Sequence, residues 1–176
     1  MDSGKPVRPP TQRLFLALWP DHAVRGQIAE HARRWALPSG CVPCAPVDWH
    51  VTLHFIGNVL AERVPDIAAG VGVPLEPFEL VLDQPQLWHR GLAVLCASEV
   101  PAALQALHDR LGRALHRLNQ AVDVRPYQPH LTLARRADAA IPPSACAPIV
   151  WSVRSFALVV STGRTDQRYE VFCQYS

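Results

Sequence analysis

The strongest constraint on this chain is a motif that occurs twice. His50-Val51-Thr52-Leu53 returns 80 positions later as His130-Leu131-Thr132-Leu133. Side chains alternate between the two faces of a strand, so His50 and Thr52 share one face while Val51 and Leu53 share the other. His130 and Thr132 are backed in the same way by Leu131 and Leu133. An imidazole beside a hydroxyl, presented twice, supplies two hydroxyl donors and two groups that exchange protons near neutrality, a set that suits a small anion such as phosphate. One His-x-Thr alone would be an ordinary half-buried strand, since threonine favours strands and histidine tolerates partial burial. Here the surroundings repeat as well: strand, helix, loop and His-x-Thr strand run over residues 13–57 and again over 91–135. Two copies at so long a period make a duplicated unit, not a solenoid. Two facing lobes would bring both His-Thr pairs to one cleft.

The elements follow from pattern. Arg13 to Trp19 is a nearly continuous apolar run, as in a central strand covered on both faces, and Pro20 ends it. Asp21 caps a helix in which Val24, Ile28, Ala32 and Trp35 recur at helical spacing to about Ala36. Gly57-Asn58 stops the first motif strand, and a weaker helix runs over about 61–69, with Pro65 either in its first turn or breaking it. Residues 78–83 and 91–97 read as strands, with Gln84 to Arg90 a solvated connection whose Trp88, His89 and Arg90 would otherwise suit a base-binding rim. The clearest helix follows Pro101, with Leu104, Leu107, Leu111, Leu115 and Leu118 forming a core stripe. Residues 150–161 and 169–175 read as two strands around a turn at Gly163. Met1 to Gln12 is poor in apolar residues and reads as a flexible tail, leaving 13–176 as a single bilobal domain.

Composition narrows the function. A chain of 176 residues with a formal charge of +2 can bury a real core but does not advertise long-duplex binding; any nucleic-acid contact is local, at a strand end or short oligonucleotide. The five cysteines are odd in number, and no secretory signal is evident, so they read as reduced in a cytoplasmic protein. Cys41-Val42-Pro43-Cys44 lacks a second ligand pair and reads as coincidence in a loop. No apolar stretch reaches membrane-spanning length. His50 and His54 would chelate a metal together only on a helix, and no carboxylate cluster accompanies them, which disfavours a metal-dependent phosphohydrolase.

The two motifs, the continuation Leu53-x-Phe55-Ile56-Gly57, and Arg125-Pro126-Tyr127-x-Pro129-His130-Leu131-Thr132-Leu133-Ala134-Arg135 resemble the bacterial RNA 2′,3′-cyclic phosphodiesterases. These are also called 2′-5′ RNA ligases, within the two-histidine phosphoesterase superfamily. The resemblance implies an α+β fold of two pseudosymmetric lobes, each an antiparallel sheet with helices on its outer face, around a central cleft. It implies hydrolysis of RNA 2′,3′-cyclic phosphate ends to 2′-phosphates with no metal and no cofactor, and reverse 2′-5′ ligation by the same groups. By position, His50 is then the proton donor and His130 the proton acceptor, with Thr52, Thr132 and Arg135 binding the phosphate. Arg135 has the opposite parity from His130 and points away from the cleft unless the strand bulges or ends near Ala134. His54 shares the parity of His50, and Trp49 replaces the family's usual leucine. The partner is an RNA 3′ end or a small cyclic phosphate, either a nucleoside 2′,3′-cyclic phosphate or ADP-ribose cyclic phosphate; a non-catalytic RNA-end-binding protein is the competing class. A monomer is expected.

Overall fold

The computed structural model describes residues 9–176. The first strand, β1 (Thr11–Leu18), takes in Thr11 and Gln12, which composition alone places in the tail; Met1 to Arg8 lie outside the described residues. Asp21 then caps α1 (His22–Ala32), its Oδ1 accepting the Val24 amide at 2.9 Å. The helix ends four residues short of the expected Ala36, but Trp35 is still buried beyond its end. A two-residue strand, β2 (Val42–Pro43), precedes the first motif strand, β3 (Val51–Leu60).

The second half of the chain repeats this plan. After α2 (Val64–Gly70), which starts three residues later than expected and so holds Pro65 in its first turn, come β4 (Phe78–Leu82), β5 (Gln84–Trp88) and β6 (Leu92–Cys96). Residues 84–88 are therefore an edge strand and not a solvated connection. Pro85 and two glutamines conceal it in the sequence, and an edge is where a sheet tolerates proline. α3 (Ala102–Arg117) buries Leu104, Leu107, Leu111 and Leu115 completely, each worth roughly 1.5–3 kcal/mol of apolar burial. Then follow β7 (His130–Arg135), β8 (Ile149–Val153), β9 (Phe156–Ser161) and β10 (Tyr169–Tyr175). The expected single strand over 150–161 is thus two, broken at Arg154-Ser155, because β8 leaves the main sheet to pair with β4.

The main sheet runs β10-β9-β1-β3-β7-β6-β5, with β2 added along β7. β1-α1-β3 and β6-α3-β7 are the two repeats, and they meet at β3 and β7. Those two strands pair at one position, Val51 opposite Leu131. Both residues are the x of a His-x-Thr motif and both are wholly buried. Antiparallel pairing at that point sets His50 opposite Thr132 and Thr52 opposite His130, so the pseudo-twofold axis passes between the motifs.

Bulges then decide where later residues point. In the β1–β3 ladder Leu16 pairs with His54 and Ala17 with Thr52, leaving Leu53 without a partner. In the β6–β7 ladder Ala93 pairs with Ala134 and Val94 with Thr132, leaving Leu133 without one. The leucine of each motif is therefore the extra residue of a bulge, and strand parity flips after it. A second bulge, at Ile56, is followed by Gly57 at φ 88°, so this glycine bends β3 and does not end it as expected.

Candidate active site

Both motif pairs line one cavity of about 570 Å³, together with Arg135, Arg13, Arg168 and Tyr169. All five sequence-predicted site residues, His50, Thr52, His130, Thr132 and Arg135, meet there. The bulge at Leu133 returns Arg135 to the cleft side, while Leu133 and Ala134 both turn into the core. The matching bulge at Leu53 does the reverse for the first copy. His54 is turned away from His50 and lies buried against α3, and Phe55, 65% exposed, takes the cleft position that Arg135 holds in the other lobe. The expectation from parity that His54 faces the cleft is thereby corrected, and His50 and His54 stand on opposite sides of the sheet, where they cannot share a metal.

Each motif histidine is oriented by the same local device. His50 Nδ1 lies 2.6 Å from the carbonyl of Asp48, and His130 Nδ1 lies 2.8 Å from the carbonyl of Gln128, in each case two residues back. A carbonyl only accepts, so Nδ1 carries the hydrogen in both rings, and Nε2 is the nitrogen left to gain or lose a proton. The rings are also held by aromatics. Trp19 stacks flat on His50 (centroids 5.3 Å, 2°), with Phe15 at 4.9 Å and the edge of Tyr169 at 5.2 Å. On the other side Trp88 lies tilted on His130 at 4.4 Å, so this tryptophan belongs to the site and not to a solvated hairpin. Trp49 is buried in the core.

Electrostatics set the resting state. Burial lowers the pKa of His50 to about 4, partly offset by the Asp48 hydrogen bond and reinforced by the positive charges of Arg135, His130 and Arg168. Burial likewise lowers His130, with Arg135 adding to the effect. Among the described residues no carboxylate forms an ion pair with Arg13, Arg135 or Arg168. Near neutral pH the free cleft thus holds two neutral imidazoles beside three arginines without carboxylate partners.

The same burial makes the fold acid-sensitive. His31, His50, His54, His108 and His130 all have pKa values lowered chiefly by burial, so below about pH 6.5 the unfolded chain binds more protons than the folded one. Stability is fully present above that pH and falls as pH drops toward the folded values. His50 alone accounts for a loss of about 3 kcal/mol by pH 4. Urea unfolding at pH 7, 6, 5 and 4 is expected to show this decline, and a flat profile would contradict it.

Several cleft residues escape sequence reasoning. Phe15 of β1 and Trp19, one residue past its end, share a face by parity, but the run around them is apolar throughout and gives no sign which face is wet. Arg168 and Tyr169 enter from the far end of the chain, brought in by β9–β10 pairing. Cys41 and Cys44 are free and flank β2, whose extended backbone spaces their Cα atoms about 10 Å apart, beyond disulfide reach. Cys44 lines the cavity, its amide bonded to the Leu133 carbonyl at 2.8 Å.

Two antiparallel lobes presenting a His-Thr pair each, across one arginine-lined cleft, define a two-histidine phosphoesterase. The model of the 2′-5′ RNA ligase superfamily matches residues 20–165, and the chain belongs to that superfamily. It is 34% identical over 163 residues to the RNA 2′,3′-cyclic phosphodiesterase of Escherichia coli (strain K12), an overlap of 88% of this chain and 91% of that protein. It is 30% identical over 164 residues to the protein of the same name from Thermus thermophilus, an overlap of 85% and 81%. Among solved structures, E. coli LigT complexed with 3′-AMP superposes with a TM-score of 0.82 at 27% identity, covering 94% of this chain and 98% of that one. Among the described residues no helix is long and apolar enough to cross a membrane.

Proposed function

We propose that this chain opens 2′,3′-cyclic phosphates at RNA 3′ ends to leave a 2′-phosphate, by metal-independent acid–base catalysis between His50 and His130. That it is a cyclic phosphodiesterase follows from its family and from the activity of its relatives. The observation that carries the mechanism is the Val51–Leu131 register, which sets each histidine opposite the other motif's threonine with both Nε2 atoms free for the reaction.

His130, neutral, takes a proton from water as its oxygen attacks phosphorus. The P–O3′ bond breaks, and His50, charged, delivers a proton from Nε2 to the departing O3′. Thr52, Thr132 and Arg135 stabilise the charge that grows on the non-bridging oxygens. With a 5′-hydroxyl in place of water, the same groups form a 2′-5′ phosphodiester, with no nucleotide cofactor needed. Because His50 is neutral in the free cleft, its proton arrives with or after the anionic substrate, whose charge offsets that of Arg135 and Arg168. An adjoining cavity of about 400 Å³ shares Thr52, Phe55 and His130 with the first, and the rings of Phe55 and Trp88 offer stacking surface for a terminal base.

The test is hydrolysis of a short RNA ending in 2′,3′-cyclic phosphate, in excess chelator. Undiminished turnover to a 2′-phosphate is expected. Turnover lost to chelator and restored by a divalent ion would remove the metal-free mechanism, and turnover of nucleoside cyclic phosphates alone would move the substrate to small molecules.

A further inference from the structure

β3 and β7 pair at a single position, so little backbone hydrogen bonding fixes their separation at the motifs. One side chain supplies a further tie there. Tyr127, in the loop between α3 and β7, donates its hydroxyl to the backbone carbonyl of Thr52 at 3.1 Å. Thr52 stands opposite His130 in the strand register, and Tyr127 precedes His130 by three residues. The hydroxyl therefore joins the start of the second motif to the middle of the first.

The ring that carries this hydroxyl is itself seated. Tyr127 stacks on His108 of α3 (4.1 Å, 19°), and His108 stacks on His54 of β3 (4.0 Å, 21°). His54 Nε2 donates to the His108 carbonyl at 2.8 Å, tying sheet to helix. His54, turned inward by the bulge, thus forms the base of a three-ring column ending at Thr52. Burial raises the pKa of the Tyr127 phenol, so it remains a donor throughout the neutral range.

We infer that Tyr127 is a positioning residue: through the Thr52 carbonyl it holds the Thr52 hydroxyl at the phosphate and opposite His130. This rests on the phosphate-binding role proposed above for Thr52. Tyr127→Phe keeps the ring, its stacking and its burial and removes only the hydroxyl. A residue acting through Thr52 should lose its effect once the Thr52 hydroxyl is gone, which a general structural role would not do.

The experiment is a cycle of wild type, Tyr127→Phe, Thr52→Ala and the double variant, read by kcat/KM on the cyclic-phosphate RNA and by the affinity for inorganic phosphate. Tyr127→Phe is expected to lower kcat/KM about tenfold and weaken phosphate binding about threefold, and to change either by less than about twofold in the Thr52→Ala background. Equal losses in both backgrounds, or no loss in either, would overturn the inference. A wild type that binds phosphate but hydrolyses no cyclic phosphate would overturn the proposed reaction instead, and the phosphate cycle alone would then decide the role of Tyr127.

Discussion

Replacing His50 or His130 by alanine is expected to lower kcat on an RNA 2′,3′-cyclic phosphate by roughly a hundredfold to ten-thousandfold, the range for loss of one general acid or base. Each ring presents one titrating nitrogen to the same cavity, its other nitrogen being fixed on a carbonyl two residues back. In the proposed reaction the two act on a single displacement, so removing both should cost far less than the product of the single losses. Steady-state and single-turnover rates of the three variants, with circular dichroism and thermal unfolding to establish that each is folded, check this. Either variant retaining most of the wild-type kcat would remove that histidine from the chemistry.

The second large effect is a separation of the pH profiles of kcat/KM and kcat. The reacting state proposed above has His50 charged and His130 neutral, whereas the free cleft holds His50 near a pKa of about 4 and His130 below its ordinary value. Once pH exceeds both, the charged fraction of free His50 falls about tenfold per unit, and kcat/KM, which reports free enzyme, should fall with it. From pH 7 to 9 that is roughly a hundredfold. In the proposed complex the substrate's negative charge lies against Arg135, Arg168 and His50 and raises the pKa of His50, so kcat should hold its level to higher pH. A kcat/KM that stays flat from pH 6 to 9 would contradict a charged His50 in the reaction.

The fold was legible where pattern and period agree. The motif strands, the leucine stripe of α3 and the Asp21 cap all stand where the sequence places them, because each is set by local propensity and by which face is buried. So is the duplication, since β1-α1-β3 and β6-α3-β7 form antiparallel units meeting at the motifs. The bulges are what strand parity alone does not give. Nothing in His-x-Thr-Leu marks the leucine as the extra residue, yet that one insertion sends Arg135 into the cleft and His54 out of it. Edge strand β5 was hidden by Pro85, and with it the contact of Trp88 on His130. Arg168 and Tyr169 reach His50 only through the pairing of the last strand, a long-range fact that no local pattern encodes.

The most direct test of the central claim, that two histidines bracket one phosphate and His50 takes its proton with the anion, is an NMR titration of the His50 and His130 ring resonances. It would be made on the free protein and again with a saturating 2′-phosphorylated nucleotide. The predicted result is a His50 midpoint of about 4 in the free protein, raised on binding, with His130 resonances perturbed in the same titration. A His50 midpoint that is the same bound and free would contradict it.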